Sequence, residues 1–151
     1  MIALNYIVDP TGLFSKASSQ PEVKLAKILA GNSNALIGSN YDERIFQILH
    51  AKTETQHAPI IITGSSRMMP VSSAMLAIPC LNVAVSSASL EDHIALGIAA
   101  KKRKRNQVFL LGVDPWVFNG NLGPIGWRSI GKDYVKAAKA VHLTEIPVLE
   151  K

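Results

Sequence analysis

The feature that most constrains the fold is a series of short apolar runs, each followed by small polar residues. The segments APIIITG (58–64), CLNVAVS (80–86) and QVFLLGVD (107–114) carry β-branched or aliphatic residues at consecutive positions. Buried strands of a parallel sheet have this pattern when helices cover both faces. Since helix-length segments separate the runs, we expect right-handed βαβ units. The sequence therefore predicts an α/β fold in which 60–63, 81–85 and 108–113 are adjacent central strands, with helices on both faces.

The segments between these runs have the signals of helices. Ser89 and Asp92 form an acidic version of the capping box, so the segment 89–105 is the strongest helix prediction. Asn40 or Asp42 is expected to cap another helix at 40–52. Further elements are a helix at 21–32 that ends at Gly31, a strand at 34–39 and a helix at 133–143. Residues 1–21 are expected to form an N-terminal loop segment and residues 22–151 a single domain.

The basic charge of the chain comes from one short run. The net charge is +5, with 16 Lys and Arg against 11 Asp and Glu. Removing the five residues 101–105 leaves 16 − 5 = 11 basic residues, which balance the acidic ones. No aromatic residues interleave with the run, so we expect a solvated helix end and no nucleic acid partner. A binding patch is the alternative that this composition leaves open.

Several other classes of protein have no support in the sequence. Cys80 is the only cysteine, which excludes an intramolecular disulfide, and its apolar surroundings predict that it is buried. We find no signal peptide, and no apolar run has the length of a membrane span. Glycine-rich nucleotide motifs and metal-ligand spacings are absent from the sequence, so we expect neither a cofactor nor a metal. A nucleotide-binding module would need a phosphate cradle that the sequence does not contain.

Polar residues follow each of the three predicted strands. GSSR (64–67), SSASLED (86–92) and GVDPWVFN (112–119) lie at the carboxyl ends, where open parallel sheets bind their ligands. Ser66 fits an exposed nucleophile on a sharp turn, although small residues after a buried strand more often only form the turn. Trp116, Phe118 and Trp127 share one loop region, either as its own small core or as a platform for stacking sugars. The three loops together predict a site.

The same segments resemble a known family. GSSRMM (64–69), LNVAVSSASLEDHIALG (81–97) and VFLLGVDPWVFNGN (108–121) look like the first three sequence blocks of the SGNH, or GDSL-like, hydrolase superfamily. They look closest to its bacterial envelope branch, which includes alginate-type O-acetyltransferase-like proteins, and the resemblance covers roughly residues 4–130. It implies a flavodoxin-like three-layer α/β/α fold and serine-dependent chemistry on acyl esters or acetylated glycans. It also implies a location in the cell envelope or periplasm.

The resemblance assigns roles to four residues. Ser66 corresponds to the nucleophile, and its own N–H to one donor for the oxyanion. Ser87 falls where the family usually has a glycine whose N–H is a second donor. Asp114 falls where the third block usually has an asparagine, and an ionised carboxylate cannot donate a hydrogen bond. An ion pair with Arg67 would compensate the charge of Asp114.

The sequence departs from the family at the catalytic base. The family places this histidine in an Asp-x-x-His motif near the C-terminus, and no such motif occurs in the chain. His57 and His142 do not match it, and His50 and His93 are expected to be surface or half-buried helix residues. We therefore expect an esterase or O-acetyltransferase domain that is incomplete at its C-terminus and has little activity. The alternative is a non-catalytic α/β module that binds a glycan or a protein partner. The oligomeric state is left open.

Overall fold

The computed structural model describes residues 21–31, 40–54, 58–101, 106–119 and 125–143. The N-terminal loop and the strand predicted at 34–39 lie outside these residues. The α-helices are α1 (Pro21–Ala30), α2 (Glu43–Thr53), α3 (Ser73–Leu76), α4 (Leu90–Ala100) and α5 (Gly131–Ala140). The strands are β1 (Ile60–Thr63), β2 (Cys80–Asn82) and β3 (Val108–Leu111), and short 3₁₀ helices span Pro115–Phe118 and Gly126–Ile130.

The three strands form one parallel sheet in the order β2-β1-β3. This is the order of the first three strands in flavodoxin-like folds. β2 is shorter than predicted, but the chain after it stays beside β1. The Val83 N–H donates to the Ile62 carbonyl at 2.9 Å, and the Val85 N–H donates to the Gly64 carbonyl at 3.0 Å. The predicted α/β fold with a parallel sheet is confirmed.

Each face of the sheet is covered differently. On the face that carries Ile61 and Leu81, α2 and α4 contribute to the main core, together with the second 3₁₀ helix and α5. On the other face, beside Ile62, the Asn82 amide donates to the carbonyls of Met68 and Val71, both at 2.8 Å. The chain that follows β1, from Met68 to Val71, is thereby held against this second face.

β3 differs from its prediction as a buried strand. All four of its residues are exposed, and the exposed fractions of Val108 and Leu111 are 66% and 55%. β3 lies at an edge of the sheet, and no described strand pairs with its outer side. The prediction was wrong because the apolar composition of a run shows that a strand could be buried, but it does not show which neighbours the strand has.

The helix termini follow their local sequence signals. Asp42, and not Asn40, caps α2, since its carboxylate accepts the N–H groups of Arg44 and Ile45. Ser89 and Asp92 form the predicted capping box at the start of α4. α4 ends at Ala100, and residues 102–105 of the basic run lie outside the described residues. Within the described ranges, no helix combines the length and the apolar character that a membrane span requires.

Candidate functional site

Backbone hydrogen bonds align the three strand ends that carry the predicted site. Val85 donates to Gly64, and the Gly112 N–H donates to the Thr63 carbonyl at 2.8 Å, so these positions lie side by side. Ser66, Ser87 and Asp114 follow Gly64, Val85 and Gly112, each by two residues. The structure therefore brings all three predicted residues to the same carboxyl edge of the sheet.

The turn that carries Ser66 is packed tightly onto the sheet. The Met68 N–H donates to the Ser65 carbonyl at 2.9 Å, and the Met68 side chain lies over Gly64 and Gly112. Side chains at these two glycines would come within 2.3 Å and 2.1 Å of Met68 Cγ. Ser66 itself is exposed, and its N–H has no hydrogen-bond partner on any described residue.

Ser87 has the backbone geometry that is normally left to glycine. Its φ is +48°, in the left-handed region that residues with a Cβ atom rarely adopt. The preceding Ser86 N–H donates to Glu43 Oε1 at 2.6 Å, whereas the Ser87 N–H has no partner on any described residue. Within the part of the chain that the structure describes, the N–H groups of Ser66 and Ser87 at this edge are therefore both without a hydrogen-bond partner.

Asp114 forms the ion pair that the sequence suggested. Arg67 Nη1 lies 2.5 Å from Asp114 Oδ1, and Asp114 is buried while 69% of the Arg67 side chain stays exposed. The guanidinium also lies over the Trp116 ring, 5.1 Å from its centroid. Asp114 Oδ1 accepts this hydrogen bond from Arg67 and is occupied by it, so it does not supply a third oxyanion donor. The predicted contact between Arg67 and a nearby carboxylate is confirmed.

The aromatic residues of this region do not form one cluster. Trp116 lies under Arg67, Trp127 is buried against Tyr134 with ring centroids 5.2 Å apart, and 81% of Phe118 is exposed. A common small core for the three is therefore wrong. Trp116 alone belongs to the site.

His93 lies beneath the site and was misjudged from the sequence. It is buried, not a surface or half-buried residue, and its Nδ1 lies 2.8 Å from the Thr63 hydroxyl. Burial lowers the pKa of His93 below its ordinary value, against the opposing charges of Asp92 and Asp114. The imidazole is thus kept neutral and engaged with Thr63.

The other described histidines are not bonded to Ser66. His50 is half-buried, stacks on Phe46 and lines a cavity of about 340 Å³ with Cys80, which is half-buried rather than buried. His142 is exposed after α5, and His57 lies outside the described residues. No described histidine forms a hydrogen bond to Ser66.

A buried ion pair behind the site was missed by sequence reasoning. Arg44 of α2 makes a two-pronged contact with Asp92 of α4, with Nε–Oδ1 at 2.8 Å and Nη2–Oδ2 at 3.0 Å. Burial alone would lower the pKa of Arg44, but the hydrogen bond and charge of Asp92, together with the charges of Glu43 and Asp42, outweigh it, and the pKa is raised. In the sequence, Arg44 stands out as a charged residue within the largely apolar helix segment ERIFQIL. That segment does not indicate that Asp92 is its partner.

Comparisons with known proteins add no assignment. No family model matches the chain, and neither a curated protein nor a solved structure matches it. Among the described residues, no group of His, Cys, Asp and Glu has the arrangement of a metal site.

Proposed function

We propose that the chain is an SGNH-like domain that acts on acyl esters, such as acetylated glycans, through Ser66. The observation that carries this proposal is that the N–H groups of Ser66 and Ser87, at adjacent strand ends, have no hydrogen-bond partner among the described residues. An oxyanion that forms beside Ser66 needs such donors, and backbone N–H groups require no reorganisation when the charge develops. The exposed hydroxyl of Ser66 lies on a sharp turn after a buried strand, as a nucleophile requires.

The same geometry predicts a slow reaction. The Ser66 hydroxyl is neutral near pH 7, and no described histidine takes its proton. General base catalysis contributes about 10²–10⁴-fold, and one oxyanion donor about 10²–10³-fold. Both contributions are missing here, the second because Asp114 stands in place of a donor. The domain is therefore expected to bind and orient an ester without turning it over efficiently.

Imidazole in solution tests this proposal by supplying the missing base. Hydrolysis of an activated acetyl ester is measured for wild type, Ser66→Ala and Ser73→Ala, the last as a control at another exposed serine. Without imidazole, we expect rates near background that Ser66→Ala hardly changes. With imidazole, we expect wild type and Ser73→Ala to be faster than Ser66→Ala. Equal rates for all three proteins at every imidazole concentration would refute the role of Ser66.

The second candidate function is a non-catalytic module that binds a glycan or a protein. The ion pair of Arg67 and Asp114 favours it, because this pair occupies the position of the third donor and leaves Arg67 exposed above the half-buried ring of Trp116. Titration with an acetylated oligosaccharide, followed by tryptophan fluorescence, tests this function. A signal that Trp116→Phe removes and Ser66→Ala leaves intact would support binding without catalysis. No signal with any acetylated oligosaccharide would count against a glycan ligand.

A further inference from the structure

The Ser86–Ser87 turn has a backbone conformation that its own sequence does not favour. A residue with a Cβ atom is disfavoured in the left-handed region, and Ser87 has a φ of +48°. Such conformations persist where surrounding contacts impose them. The contacts that impose this one are therefore part of the site's construction.

Arg44 and Glu43, at the start of α2, supply these contacts. Arg44 Nη2 donates to the Ser86 carbonyl at 2.9 Å and lies 3.5 Å from the Ser87 carbonyl. Glu43 accepts the Ser86 N–H, and its second oxygen accepts the Ser86 hydroxyl at 3.2 Å. Both peptide groups around Ser86 are thus bound to α2.

The geometry of a trans peptide fixes the direction of the Ser87 N–H once the Ser86 carbonyl is bound. The carbonyl and the N–H of one trans peptide point in opposite directions, and the described chain has no cis bond. Because the Ser86 carbonyl faces Arg44, the N–H of Ser87 in the same peptide faces away from Arg44. That N–H is the one without a partner on any described residue.

The guanidinium of Arg44 is itself held in place. Asp92 has no exposed surface, bonds Arg44 at two points and also accepts the Ser89 N–H at 2.9 Å. Gly126 lies so close that a Cβ there would come within 2.6 Å of the Arg44 Cζ. A lysine at position 44 would keep the charge and lose the planar fork that reaches Asp92 and Ser86 together.

We propose that Arg44 is a positioning residue, which acts through the Ser86–Ser87 peptide to turn the Ser87 N–H toward the site. The inference rests on the proposed function, since this N–H stabilises an oxyanion only if Ser66 attacks an ester. The wider claim is that the clamp of Arg44 and Asp92 replaces the glycine that the resembled family has at position 87. Ser87→Gly should therefore make the clamp less necessary.

The test compares Arg44→Lys with Lys52→Met, a control that removes the ion pair between Lys52 of α2 and Asp133 of α5. NMR couplings report the φ of Ser87, and the imidazole-assisted ester reaction reports Ser66. We expect Arg44→Lys to move Ser87 out of positive φ and to slow the Ser66-dependent reaction by about 10–100-fold. Lys52→Met should change neither. Adding Ser87→Gly to Arg44→Lys should restore most of the lost rate.

The outcomes separate the inference from the proposed function. A changed Ser87 φ in Arg44→Lys, with no Ser66-dependent reaction even in wild type, would support the positioning by Arg44 and refute the ester chemistry. An unchanged Ser87 φ, or a rate that Ser87→Gly does not restore, would overturn the inference. If Arg44→Lys does not fold, Asp92→Asn weakens the contact between Arg44 and Asp92 from its other side. The φ of Ser87 and the rescue of the rate by Ser87→Gly then test the inference in that variant.

Discussion

Two glycines beneath the Ser66 turn should respond very differently to the same substitution. In Gly112→Ala, the three atoms nearest to the new Cβ are Met68 Cγ at 2.1 Å, Sδ at 2.7 Å and Cε at 3.5 Å. In Gly64→Ala, it meets Met68 Cγ at 2.3 Å and Met68 Cβ at 2.7 Å. Rotation of the Met68 side chain relieves the first clash. It cannot relieve the second, because Cβ moves only with the backbone.

The magnitudes follow from this difference. An off-rotamer Met68 costs about 0.5–1.5 kcal/mol, and replacing glycine by alanine returns about 0.4–1 kcal/mol through the unfolded state. Gly112→Ala should therefore change the free energy of unfolding by less than about 1 kcal/mol. A forced backbone shift falls in the upper part of the ~1–3 kcal/mol range for overpacking, so Gly64→Ala should lose about 1–2 kcal/mol net.

Urea denaturation followed by tryptophan fluorescence measures both values. The Met68→Ala background supplies the control, since it removes every Met68 atom that Gly112→Ala meets and keeps the Cβ that Gly64→Ala meets. In that background, the loss from Gly112→Ala should vanish and part of the loss from Gly64→Ala should remain. Equal losses for the two variants, or a loss in Gly112→Ala that Met68→Ala leaves unchanged, would refute this account of the turn.

Two further predictions concern the charges around the site. Asp114→Asn replaces an acceptor with an amide that can donate, so the Ser66-dependent reaction in imidazole should rise by up to ~10²-fold; an unchanged rate would show that position 114 does not face the oxyanion. Burial lowers the pKa of His93 and of His50 from 6.5, so the unfolded chain binds more protons than the folded one below about pH 6.5. The free energy of unfolding should therefore be highest above that pH and fall as the pH decreases. Each histidine contributes a slope of at most ~1.4 kcal/mol per pH unit, and the fall ends once the pH is below the pKa of that histidine in the folded protein. Urea denaturation near pH 7.5 and 5.5 should show a smaller difference for His93→Gln than for wild type, and equal differences would contradict the assigned role of burial.

Features that depend on neighbours in the sequence could be predicted. The capping box of Ser89 and Asp92 joins residues three positions apart, and the cap of α2 at Asp42 likewise uses the N–H groups two and three positions further on. The contact between Arg67 and Asp114 spans 47 positions. It was still predictable, because both residues follow strands that the parallel topology brings together.

Features that depend on distant packing could not be predicted. Arg44 and Asp92 lie 48 positions apart on two helices, and neither segment indicates which residue the other supplies. The burial of His93 depends on α4 lying against the end of β1, where Thr63 meets it. The exposure of β3 depends on the absence of a described neighbour strand, and the apolar composition of the run is the same whether or not such a neighbour is present.

The position at which an activated acetyl ester modifies the protein tests the central claim most directly. Acetylation in the presence of imidazole, followed by peptide mapping, gives the occupancy of each exposed serine. If the N–H groups of Ser66 and Ser87 stabilise the developing oxyanion, Ser66 should be acetylated well ahead of Ser72, Ser73 and Ser129, and Asp114→Asn should widen that lead. Equal acetylation of these four exposed serines would show that the carboxyl edge of the sheet does not activate Ser66, and would contradict the proposed function.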